Sequence, residues 1–81
     1  MKREEIVAKL QTIFDKLFIE PVEVTEQLSA RDVSEWDSLL QLSLVVAIEK
    51  AFAIRFRVGE VEATRNVGDL VNIIENRVAG G

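Results

Sequence analysis

The chain has 81 residues, 48% of them apolar, and its 14 acidic and 10 basic side chains give a net charge of -4. That length has room for one domain and one compact core, and a composition led by Leu, Ile and Val suits a globular fold rather than a disordered tail. The absence of Cys and His excludes disulfide staples, thiol nucleophiles and the usual zinc and haem ligands, and it removes the commonest general base, which argues against an enzyme.

The first element is a helix. From about Arg3 to Phe18, apolar residues recur at Ile6, Leu10, Ile13, Phe14 and Leu17, the i, i+4, i+7 spacing of a helix with one buried face. This amphipathic start is unlike a membrane span or a leader, so no membrane partner and a cytoplasmic location are expected. The stretch from Ile19 to Trp36 holds Pro21 and no sustained period. It reads as a long loop that Val22, Val24, Leu28 and Val33 pin onto the core, and a loop that long in so small a domain hints at a role beyond connection.

Ser38 to Phe52 has no Gly or Pro and many straight-chain residues, which predicts the second helix. Ile54, Phe56 and Val58 then alternate with Arg55 and Arg57, the pattern of an extended connector with its apolar side chains inward. Gly59 to Ala63 is expected to form a short third helix that leans on tertiary packing, being too short to hold alone. Asn66 offers a side-chain cap and Asp69 a dipole partner to a last helix, whose stripe is Val67, Leu70, Val71, Ile74 and Val78. Ala79, Gly80 and Gly81 are expected to fray. The reading is therefore an all-α domain over 1–81: a four-helix bundle of three main helices and a short third one, with a long loop between the first two.

The second helix carries more apolar surface than one core needs. At about 100° per residue, Leu44, Val45, Ile48 and Phe52 share one face, while Leu39, Leu42 and Val46 share nearly the opposite one. Ser43, Glu49 and Lys50 rim this second stripe, which gives it the look of a partner site, unless the long loop covers it. Ser38 stands at the mouth of the same helix. A hydroxyl there faces outward to an enzyme, and a phosphodiester attached to it would lie at the positive end of the helix. Ser38 also suits an N-cap, with Gln41 completing a capping box, and Asp37 could take the cap instead.

The run Trp36-Asp37-Ser38-Leu39, continued by Leu44 to Ile54 and by Asn66 to Val71, resembles the acyl carrier protein family over nearly the whole chain. The resemblance implies a non-catalytic carrier bearing 4'-phosphopantetheine on the Ser38 hydroxyl, attached by a phosphopantetheinyl transferase. The thiol of that arm would hold acyl groups as thioesters for acyl-loading and acyl-processing enzymes. Asp37 would support attachment, and Leu39, Leu42, Ser43, Val46 and Glu49 would meet partners. Leu40 and Ser43 stand where the family usually has acidic residues, and Trp36 is similar to the Trp-Asp-Ser-Leu variants of specialised carriers. These departures point to a lipid, polyketide or related pathway other than housekeeping fatty acid synthesis.

The acidic balance argues against nucleic acid and fits basic protein partners, or simply a domain that its charge keeps soluble. A monomer is expected, either free-standing or cut from a larger synthase. Two other readings stay open on the sequence: a peptidyl carrier loading amino acids, and a helical interaction module in which Ser38 is only a cap. An enzyme is the least favoured, since Asp37 and Ser38 are adjacent and no histidine completes a nucleophilic site.

Overall fold

A computed structural model describes residues 1–79; Gly80 and Gly81, expected to fray, lie outside the described residues. Three α-helices, α1 (Arg3–Leu17), α2 (Ser38–Phe52) and α3 (Val67–Ala79), are joined by a long loop and a shorter turn segment, with a single 3-10 turn at Ala30–Asp32. α1 packs against both α2 and α3. The apolar spacing explains the arrangement: Ile6, Leu10, Ile13 and Phe14 of α1, Leu44, Ile48 and Phe52 of α2, and Val67, Leu70, Val71 and Ile74 of α3 are all buried in one core. Among the described residues no helix is long and apolar enough to cross a membrane.

The helix ends follow local chemistry. At the start of α1 the Lys2 amide donates to the Glu5 carboxylate at 3.0 Å, and acidic Glu4 and Glu5 sit at the positive end of the helix dipole. α1 stops at Leu17, which is only half-buried, while Phe18 turns into the core in extended backbone. α2 ends on Ala53, whose φ of 55° and ψ of 46° place it in the left-handed region, where glycine is the usual occupant.

The long loop is fastened at several points. Gln11 on α1 donates to the Val22 carbonyl at 2.8 Å and accepts from the Val24 amide at 2.9 Å, so one side chain satisfies both backbone groups as a strand neighbour would. Val24 is buried, and Val22, Leu28, Val33 and Trp36 pack against the core. At the other end, the loop carbonyls of Leu28 and Glu26 accept from the Val67 and Gly68 amides, each at 2.8 Å. With Asn66 Oδ1 accepting from Asp69 at 2.9 Å, the first amides of α3 are satisfied as its sequence cap suggests. Gly68 permits this approach: a Cβ there would lie 3.1 Å from the Glu26 carbonyl oxygen.

Two expectations change. The connector keeps Ile54 and Phe56 half-buried, but Val58 is fully exposed. The chain turns away from the core just there, with the Glu60 amide donating to the Arg57 carbonyl at 3.1 Å and Gly59 at a φ of 81°. Where a short third helix was expected at Gly59 to Ala63, the chain makes consecutive turns around one i, i+4 bond, from the Ala63 amide to the Gly59 carbonyl at 3.2 Å. The left-handed Gly59 and the Thr64 hydroxyl, which donates to the Val61 carbonyl at 2.6 Å, keep so short a segment from closing a regular helix. Buried Val61 and the Arg77–Glu60 ion pair hold it in the place of a fourth element, and the all-helical bundle stands.

Candidate functional site

Asp37, not Ser38, caps α2. Its carboxylate accepts from the Leu40 amide at 2.9 Å and its backbone is extended, whereas Ser38 is the first helical residue. The capping box with Gln41 does not form. Gln41 Oε1 instead accepts from the Trp36 indole N–H at 2.6 Å, giving a half-buried indole the partner it needs. Trp36 meets Phe14 and Phe18 edge-on, with ring centroids 5.3 and 5.9 Å apart, so it anchors the loop immediately before Ser38.

Ser38 is thereby left exposed. Among the described residues its hydroxyl has no hydrogen-bond partner, and the Ser38 and Leu39 amides have no acceptor. An exposed, unbonded hydroxyl beside two free N–H groups at the positive end of a helix suits a phosphodiester. A groove of about 420 Å³ opens next to it. Its apolar floor includes Trp36, Val61, Val67 and Leu70, and its polar rim Ser29, Gln41, Thr64, Arg65 and Asn66. The rim is set by Asp69, which accepts from the Arg65 side chain at 3.1 Å and from its amide at 2.9 Å. The Arg65 guanidinium, and then that amide, hold the Asp69 carboxyl below its ordinary range.

The second stripe of α2 is open to solvent. Leu39, Leu42 and Val46 are 74%, 65% and 50% exposed, against 1% for Leu44 and Ile48 on the opposite face, so the long loop does not cover it. Leu42, Ser43, Val46, Ala47 and Lys50 line a shallow depression along this face. Glu49 differs from the rest: it is half-buried, and its carboxylate accepts from the Phe56 amide at 2.8 Å, tying the connector to α2. The structure thus brings Ser38, Asp37, Leu39, Leu42, Ser43 and Val46 onto one continuous surface, and turns Glu49 to its edge. The groove residues from Val61 to Asn66 escape sequence reasoning, because an irregular segment carries no period that points to a neighbour.

An acyl carrier protein of Rubrobacter xylanophilus is 36% identical over 81 residues, covering 98% of this chain and 100% of the relative. The chain belongs to the acyl carrier protein family. Members are carriers rather than enzymes, and the acyl carrier protein of Thermosynechococcus vestitus, 31% identical over 80 residues, matches 98% of this chain and 99% of its own length. The fold agrees with a holo acyl carrier protein from Geobacter metallireducens solved by NMR, with a TM-score of 0.76, 29% identity and coverage of 96% of this chain and 86% of that one. No protein-family model matches the chain. For a carrier-family member, a free hydroxyl at the head of α2 and an uncovered apolar stripe beside it are the two features to be explained.

Proposed function

We propose that this chain carries acyl intermediates as thioesters on a 4'-phosphopantetheine arm attached to Ser38, and presents them to partner enzymes through α2. The arm supplies the thiol that the chain itself lacks. The observation that carries the reading is the division of labour at the head of α2: Asp37 takes the cap, which leaves the Ser38 hydroxyl exposed and unbonded. The free Ser38 and Leu39 amides would receive the phosphodiester, and Asp37 would support the phosphopantetheinyl transferase that attaches it. Leu39, Leu42, Ser43 and Val46 would form the contact face, with Glu49 at its edge holding the connector. A tethered cargo is kept at high local concentration around each docked active site.

The single 1–81 domain would act as a cytoplasmic monomer toward acyl-loading and acyl-processing enzymes. The first turn of α2 holds no acidic residue, which supports partners in a specialised lipid, polyketide or related pathway. Incubation with coenzyme A and a broad-specificity transferase, followed by intact mass measurement, tests the reading. A gain of one phosphopantetheine that disappears in Ser38→Ala is expected; no gain, or a gain that survives Ser38→Ala, overturns it.

A further inference from the structure

We propose that Lys50, Arg55 and Arg57 form a cationic contact at the far end of the α2 stripe, selecting partner enzymes that present carboxylates around an apolar docking centre. The inference rests on the reading that α2 faces partners, and adds the charge those partners must carry. On the helix, Lys50 lies one turn beyond Val46 and lines the same depression as Leu42 and Val46. Arg55 stands on the other flank: it lines a depression together with Glu49, itself one turn beyond Val46, and the next residue, Phe56, donates its amide to the Glu49 carboxylate.

The backbone beneath the two arginines is fixed. Arg77 donates to the Arg55 carbonyl at 2.7 Å and Glu60 accepts from the Arg57 amide at 2.9 Å. Arg55 and Arg57 alternate with half-buried Ile54 and Phe56, so both face outward, and Lys50, Arg55 and Arg57 are all exposed. Among the described residues none of these cations has a carboxylate partner, whereas Arg3, Arg65 and Arg77 each do. Glu60, nearest to Arg57 in the turn, is held by Arg77. Glu49 brings one negative charge into the cluster and turns it onto the Phe56 amide.

Exposed cations along an apolar stripe give this end of α2 a charge opposite in sign to the chain's net charge of -4. An acidic domain as a whole favours basic partners; this end of α2 favours the reverse. Charge at the edge of an interface acts mainly on partner choice and association rate, while the apolar centre supplies burial.

The test uses coenzyme A and a broad-specificity phosphopantetheinyl transferase in two forms, one bearing carboxylates and one bearing lysines on the surface that faces the carrier. Loading of the wild-type chain is expected to show a KM about tenfold lower with the carboxylate form at low salt, the gap closing in high salt. The K50E/R55E/R57E variant should reverse that order, and K50E alone should narrow it; far-UV circular dichroism checks that both remain folded. Equal KM values for the two forms, a preference for the lysine form, or a triple variant that keeps the wild-type order overturns the cationic contact while Ser38 loading stands. No mass gain with either form removes the Ser38 reading and this inference with it.

Discussion

Gln41 illustrates how one side chain serves the site without touching a ligand. Its Oε1 accepts the Trp36 indole N–H at 2.6 Å, and Trp36 in turn closes the aromatic cluster in which Phe14 and Phe18 stack at 4.8 Å. Replacement by an apolar residue of similar size leaves the indole N–H unpaired in a half-buried setting, which costs about 1–2 kcal/mol. Gln41→Leu is therefore expected to lower the urea midpoint, with Trp36, the single tryptophan, as the reporter. An unchanged midpoint would mean that water replaces the amide without loss. The need of a buried indole for a partner is legible in the sequence. The identity of the partner is not, since Gln41 fits a capping box equally well until Asp37 is seen to hold the Leu40 amide.

The elements read most clearly are those whose stability comes from a periodic buried face. α1, α2 and α3 fall where the apolar spacing of Ile6 to Phe14, Leu44 to Phe52 and Val67 to Ile74 puts them, and the second stripe of α2 is exposed as its angular position implies. Features held by single long-range bonds leave no such trace: Gln11 on the Val22 and Val24 backbone, and the Leu28 and Glu26 carbonyls on α3. The Gly59 to Ala63 segment is legible only in part for a related reason: it keeps one i, i+4 turn in the place of the short third element, but Gly59, at a φ of 81°, keeps its turns from closing a regular helix. The end of α2 offers a test of local geometry. A non-glycine residue in the left-handed region costs about 1–2 kcal/mol, partly offset in a glycine variant by the greater entropy of its unfolded chain. Ala53→Gly should then raise stability by about 0.5 kcal/mol and Tm by about 3 °C, read by thermal melting; a lower Tm would show that Ala53 is not strained.

At the scale of the whole molecule, Arg3 joins parts that share no helix. Its guanidinium meets Glu26 of the long loop at 2.6 Å, and Asn72 and Glu75 of α3 at 2.7 and 3.1 Å. Hydrogen bonding to Arg3 holds the Glu26 carboxyl below its ordinary range, and the Arg57 amide followed by Arg77 does the same for Glu60. A carboxyl depressed in the folded state contributes stability that is fully present above its unfolded pKa and is lost as pH falls through the folded value. Glu26, Glu60 and Asp69 therefore all predict loss on the acid side, beginning below about pH 4.5. No opposing change is expected near neutrality, because the chain has neither histidine nor cysteine, the side chains whose ordinary pKa lies in that range. The urea midpoint should thus be flat from about pH 6 to 8 and fall toward pH 3. These pairs are only half-buried and so remain open to screening by salt, and the fall should be shallower at high ionic strength. Arg3→Met keeps much of the side-chain length while removing the charge that depresses Glu26. It should lower the midpoint at pH 7 and flatten the acid limb, so that variant and wild type converge near pH 3. Parallel curves, with the same loss at both pH values, would assign Arg3 a packing role rather than an electrostatic one.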